Sequence, residues 1–262
     1  MRKYLLHVLI ISFVFLLAPT VHVASYAGEI EDAKEEVRKN PDDAYAHYLL
    51  GLAYRKSGKY EEAIKSYKQA IRINPDFALT HAGLGYAYVL SGKYKDAIES
   101  FKQAIRIDPD FALAHAGLGD AYYESGKHEE AIESYKQVIE IDPDFALYHI
   151  MLGRAYRKTG MFKEAIESFK QAIELYKQAI RIDPDDASAH NGLGNAYSIL
   201  GEYQETTEEM NQSTQSLFNP DSDYVTGYFN LGLDYQEAIE SYRHAIESHK
   251  QAIEIDPDYA DA

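Results

Sequence analysis

Apolar positions recur along this chain with two superimposed periods. Within residues 78–111, His81, Leu84, Gly85 and Tyr88 fall at i, i+3, i+4 and i+7, one face of a helix. Gly92 then supplies a residue that can turn left-handed and close that helix. A second stripe runs through Tyr94, Ala97, Ile98, Phe101, Ala104, Ile105 and Ile107. Pro109 ends it, because a proline cannot continue the hydrogen-bond ladder, and Asp110 is placed to cap the next helix. The spacing predicts a helix–turn–helix unit in which Gly85, Ala97 and Ala104 let two helices approach closely. The longer period is 34 residues: it separates Leu50-Gly51, Leu84-Gly85, Leu118-Gly119 and Leu152-Gly153, and likewise Pro41, Pro75, Pro109 and Pro143. A repeat of this length marks an array of stacked units that shares one continuous core and exposes an extended surface.

The repeated positions resemble the tetratricopeptide repeat family, whose units carry Leu-Gly, Tyr, Ala, an aromatic and Pro at fixed offsets. Those slots hold Leu50, Gly51, Tyr54, Ala63, Tyr67 and Pro75. They recur as Leu84, Gly85, Tyr88, Ala97, Phe101 and Pro109, and again as Leu118, Gly119, Tyr122, Ala131, Tyr135 and Pro143. The match covers nearly all of residues 44–262. It departs at the first slot, often Trp in the family and His here. The resemblance implies an all-α, right-handed α-solenoid of about six helix–turn–helix repeats. The expected boundaries are a capping helix at 28–43 and repeats at 44–77, 78–111, 112–145, 146–186, 187–220 and 221–262.

The later units drift. The fourth carries FKQAIEL followed by YKQAIRI, a heptad duplication at 169–182. Seven residues are close to two turns, so the apolar face shifts by only about 20° and the helix grows by about 10 Å. The fifth keeps Leu193, Gly194, Tyr197 and Gly201, but Thr206, Thr207, Met210 and Ser213 then replace the apolar pattern. The last fuses LGLDY to QEAIES and is expected as one long, irregular helix. Ile30, Ala33 and Val37 form the apolar stripe of the capping helix. The sequence stops at Asp256-Pro257-Asp258-Tyr259-Ala260-Asp261-Ala262, where another unit would begin. Truncation, or docking of that end on something else, such as a second copy of the chain, would both account for it.

Residues 1–27 read as a targeting segment. Arg2 and Lys3 precede an apolar run from Tyr4 to Ala18, Pro19 ends it, and Ser25-Tyr26-Ala27 offers small residues for cleavage after Ala27. The run is shorter than the roughly 20 residues that span a bilayer, so export with cleavage is expected. An uncleaved membrane anchor is the alternative, and the only route to a membrane. The chain has no cysteine and a formal net charge of −16, and cleavage would make it two units more negative. This balance disfavours nucleic acid, which is held through cationic contacts to phosphate, and it keeps repeat arrays soluble.

Candidate chemistry is sparse. His47, His81, His115, His149 and His190 share one slot of the unit. Equivalent residues in adjacent units lie at least about 8–10 Å apart, and zinc ligands must lie about 2 Å from one ion. The histidines are therefore expected to pack between helices. Asn219, Asp221 and Asp223 begin like a calcium loop, but Tyr224 and Asn230 stand where its Gly and Glu belong. Asn211-Gln212-Ser213 fits a glycosylation acceptor, as chance triplets do. No nucleophile–His–acid grouping and no phosphate loop stands out. No catalytic role, cofactor, metal or small-molecule substrate is expected. Glu61 with Lys65 and Lys95 with Glu99 are i, i+4 pairs on a solvated face.

The first helix of each unit has a second apolar stripe, which either packs on another neighbour or lies exposed. By resemblance, this stripe lines the concave face and contacts a protein or peptide. The residues expected there are Tyr45, Tyr48 and Leu52, then Tyr86 and Val89, then Asp120, Tyr123 and Glu124, then Ile150, Arg154, Arg157 and Lys158. Ala82, Gly83, Ala116 and Gly117 read as a floor of small side chains on which a peptide or helix could lie. Arg154, Arg157 and Lys158 make a basic end that would orient an acidic segment. The expected function is an exported, non-catalytic scaffold for protein–protein interaction. Self-association through the C-terminal end is the alternative.

Overall fold

A computed structural model describes residues 27–215, with 246–248, 250, 251 and 255. Residues 27–39 form helix α1. The helices that follow are α2 (Ala44–Lys56), α3 (Tyr60–Ile73), α4 (Ala78–Leu90), α5 (Tyr94–Ile107), α6 (Ala112–Glu124), α7 (His128–Ile141), α8 (Ala146–Lys158), α9 (Phe162–Ile182) and α10 (Ala187–Gln215). The described residues contain no strand. Even-numbered helices α2 to α8 are the first helices of four successive repeats, here called A helices, and α3 to α9 are the B helices. The chain is an all-α solenoid of helix–turn–helix repeats. It divides between Gly126 and Lys127 into two compact units.

Two residues recur at the turn inside each repeat. Gly58, Gly92, Gly126 and Gly160 have φ of +76°, +73°, +78° and +78°, the left-handed region that side chains disfavour. The residue before each carries a hydroxyl that donates to a carbonyl three residues back: Ser57 to Tyr54 (2.9 Å), Ser91 to Tyr88 (3.0 Å), Ser125 to Tyr122 (3.0 Å) and Thr159 to Tyr156 (2.9 Å). The carbonyls of Tyr54, Tyr88 and Tyr156 also accept from the backbone N–H of Lys59, Lys93 and Met161, at 2.9, 2.8 and 2.9 Å, so the hydroxyl adds a second donor to each. In the fifth unit Leu200 replaces the hydroxyl residue, and the backbone stays helical through Gly201 to Gln215. The expected hairpin at 187–220 is instead a single helix as far as it is described. Glycine permits the turn but does not impose it.

Helix starts also differ from expectation. Asp43 caps α2 by accepting from Tyr45 N at 2.9 Å, and Asp186 accepts from Ala189 N at 3.0 Å. Asp110 does not cap α6. The N-cap position belongs to Phe111, as it does to Phe77 and Phe145 in α4 and α8, and none makes a side-chain cap bond. Asp108 instead accepts from Asp110 N at 3.3 Å, tightening the turn. The B helix of the fourth repeat, α9, spans 21 residues against 14 in α5, as the heptad duplication predicts. Glu61 pairs with Lys93 rather than Lys65, and Lys95 and Glu99 form no ion pair.

B-helix aromatic rings lock the helices together. In the first unit Tyr67 is fully buried between α2 and α4. A Cβ at Gly51 or Gly83 would come within 2.7 or 2.8 Å of its ring. Phe101, also fully buried, fills the seats at Gly85 and Gly117 in the same way. Each such ring contributes about 2–3 kcal/mol by leaving water. In the second unit the work is divided: Phe169 meets Gly153, and Tyr176, seven residues on, meets Gly192. The duplicated heptad therefore supplies one aromatic to α8 and another to α10.

Candidate protein-binding face

The expected binding residues fall in both units. In the first, Tyr45, Tyr48 and Leu52 lie on α2, Tyr86 and Val89 on α4, and Asp120, Tyr123 and Glu124 on α6. Helix α4 packs against both α2 and α6, so these side chains share one face of three adjacent A helices. Tyr45 is 52% exposed, Leu90 47% and Leu113 41%. Glu124 is exposed, and the other expected residues of this face are half-buried.

An aromatic cluster sits at its α2 side. The Tyr45 and Tyr48 rings stack at 5.9 Å, Tyr48 lies 5.7 Å from Phe77 and 5.8 Å from Tyr67, and Tyr45 lies 6.4 Å from Phe77. Phe77 joins because the helix start that lacks a capping side chain places a ring there. Burial raises the Tyr48 phenol above its ordinary pKa and pushes Tyr67 up to about 12, with the Arg55 guanidinium opposing both shifts. Sequence reading passed over Arg55 and Phe77. Arg55 occupies the unit position of Val89, Tyr123 and Arg157, and that alignment is the signal that would have found it.

Two expectations change. Ala82 and Ala116 are buried, and Gly83 and Gly117 press against Tyr67 and Phe101. The small side chains receive B-helix rings from within the protein and form no open floor. Tyr86 holds the fold together: its hydroxyl donates to the Leu113 carbonyl at 3.0 Å, and its ring meets Phe101 edge-on at 5.0 Å.

In the second unit, α8 carries Ile150, Arg154, Arg157 and Lys158. Ile150 is 5% exposed and belongs to the interior, because Ile at the position of Ala82 and Ala116 fills the space itself. Arg154 and Arg157 are half-buried and Lys158 is exposed. Phe145, 47% exposed, lies against Tyr148 at 4.9 Å.

Each of the five histidines reaches back six residues. The Nε2 atoms of His47, His81, His115, His149 and His190 lie 2.9, 2.8, 2.9, 3.3 and 3.0 Å from the carbonyls of Pro41, Pro75, Pro109, Pro143 and Pro184. A carbonyl only accepts, so each ring carries its proton on Nε2. Burial lowers the His149 pKa, with the Pro143 carbonyl opposing the shift. Among the described residues no cluster of His, Asp or Glu could hold a metal ion, and no helix is long and apolar enough to cross a membrane. The calcium-like run at Asn219, Asp221 and Asp223, the unit at 221–262 (a few isolated positions apart) and residues 1–26 lie outside the described residues.

The profile of the TPR repeat matches residues 51–92, 85–126, 119–160 and 153–201, and a second profile, tetratricopeptide repeat, matches residues 33–65. The chain belongs to the tetratricopeptide repeat family. Solved tetratricopeptide structures resemble it. A crystal structure of MamA protein is 28% identical with a TM-score of 0.55, covering 61% of this chain and 87% of that one. TTC0263, a thermophilic TPR protein of Thermus thermophilus, is 22% identical with a TM-score of 0.54, covering 70% and 96%. YrrB, described as a TPR protein with an unusual peptide-binding site, is 19% identical with a TM-score of 0.50, covering 88% and 95%. No curated protein matches the sequence. The tetratricopeptide fold makes this chain a protein-interaction scaffold. Its histidines occupy the slot where the family often has Trp, and they fasten a turn by a hydrogen bond.

Proposed function

We propose that the protein is an exported, non-catalytic scaffold that holds a peptide or helical segment of another protein against its A-helix face. The observation that carries this reading is the aromatic cluster of exposed Tyr45 on half-buried Tyr48 and Phe77. Tyr45 keeps half its surface in water although apolar neighbours surround it, and such anchors contribute most of the binding energy where two proteins meet. The basic residues of α8, Arg154, Arg157 and Lys158, would add an attraction for acidic groups in the second unit. Export rests on Arg2, Lys3, the apolar run to Ala18 and the small residues at Ser25 and Ala27.

The test is capture from the native host's envelope by the full chain, beside a Tyr45→Ser/Leu113→Ser bait. Both substitutions remove partly exposed apolar surface, and circular dichroism must show the second bait folded at the temperature of capture. A partner held by the first bait and lost by the second supports the face. Retention by both moves the site elsewhere, and capture of only further copies of the chain favours self-association. Sequencing the N-terminus of the envelope form should begin at Gly28, whereas an intact Met1 would indicate an anchor.

A further inference from the structure

Unit positions 55 and 56 recur in the first compact unit as Arg55-Lys56 on α2, Val89-Leu90 on α4 and Tyr123-Glu124 on α6. Because α4 packs against both neighbours, these make one row ordered cation, apolar, anion. Lys56 is paired with Glu29 at 3.5 Å. Arg55 makes no ion pair with any described carboxylate, in a chain where 42 acidic residues face 26 basic ones. Arg55 lies beside the Tyr67 hydroxyl, but its buried Nε and that hydroxyl oxygen make no well-formed hydrogen bond. A guanidinium can only donate, so the phenol proton lacks an acceptor whatever Arg55 does. The second repeat holds Val89 and Phe101 at the same two positions and packs without either polar group. The fold therefore does not require the cation, and a buried donor without an acceptor is costly to keep. Arg55 as a whole is only half-buried, and a carboxylate is the partner that a guanidinium holds best. Glu124, at the other end of the row, is exposed and also unpaired among the described residues.

We infer that this row reads the charge order of the bound segment: a carboxylate against Arg55, a large apolar side chain over Val89 and Leu90, and an ammonium or guanidinium against Glu124. The inference rests on the proposed A-helix face. Neighbouring helices pack about 8–10 Å apart, so two steps correspond to about five or six residues of extended peptide. A uniformly acidic segment does not fit, because the whole chain repels it.

The test pans a phage-displayed library of random peptides, about 12 residues long to span that distance, on the purified full chain. Sequences with one acidic and one basic residue flanking an apolar pair at this spacing should be enriched about tenfold over the unselected library. On Arg55→Gln the acidic preference should vanish and the basic one persist. Arg55→Lys should keep both, and Glu124→Gln should lose only the basic one. Glu124 is exposed, so that variant folds even if Arg55→Gln does not. Enrichment of apolar peptides without the charge pattern would overturn the charge order and leave the face standing. No enrichment at all would overturn both.

Discussion

Helices α5 and α9 solve one packing problem in two ways. In α5 a single ring, Phe101, occupies the glycine seats of both flanking A helices. In α9 the seats at Gly153 and Gly192 are filled by Phe169 and Tyr176. The second heptad has a looser hold, since Phe169 is fully buried while Tyr176 is half-buried and Ile182 is 86% exposed. A helix can thus grow by two turns without losing its neighbours, provided that each added heptad brings its own aromatic. The cation over the next A helix moves with it: Lys68 lies over Tyr88 and Lys102 over Tyr122, and in α9 it is Lys177 that lies 5.7 Å from the Tyr197 ring.

Truncating the rings should separate the two solutions most clearly. Phe101→Ala empties two seats and should destabilise by about 3–5 kcal/mol, with hydrogen-exchange protection falling in both α4 and α6. Phe169→Ala should expose α8 and spare α10, and Tyr176→Ala the reverse. If either substitution loosens both helices, the division of labour is wrong.

A smaller effect comes from the seats themselves. Gly117→Ala drives a methyl group into a ring held on both sides, at about 1–3 kcal/mol. Gly192→Ala presses on the half-exposed end of Tyr176, which can move aside, so urea unfolding should show the smaller loss. Alkaline titration probes the doubly seated ring of α3. Tyr67 has its pKa raised to about 12, so the folded state resists losing that proton. The stability this gives is complete below pH 10, the ordinary tyrosine value, and is lost as pH rises from 10 towards 12. Tyr67→Phe should flatten that fall, and an unchanged alkaline profile would refute the assignment. The smallest expected effect is that of Lys177→Met, about 0.5–1 kcal/mol, with Lys170→Met near zero. Equal effects would place the second heptad out of register.

Much of this was legible in the sequence. Period and composition placed the helices, Gly58 to Gly160 placed the turns, and the duplicated heptad foretold the length of α9. What was hidden depends on neighbours. Gly83 and Gly117 read as open floor because a one-dimensional pattern does not show that a ring from another helix fills the space. Ile150 read as surface because the same slot holds the half-buried Tyr48 in the first repeat. Gly201 keeps the place of a turn glycine in the repeat pattern, yet the chain stays helical through it. Arg55 escaped notice because its meaning lies in Tyr67, across a helix interface, and in the contrast with Val89 and Phe101.

The bond from each histidine to its proline carbonyl has one more consequence. Both halves of the fastener lie within seven consecutive residues, so a copied stretch of about one unit carries a finished joint. The aromatic rings, in contrast, depend on a glycine that the next unit must provide. Such an array can lengthen by duplication with its joints intact from the first generation, while its interlocking surfaces are fitted afterwards by substitution. The stretched fourth repeat, with its second aromatic already in a seat, has the form such a fitting would leave.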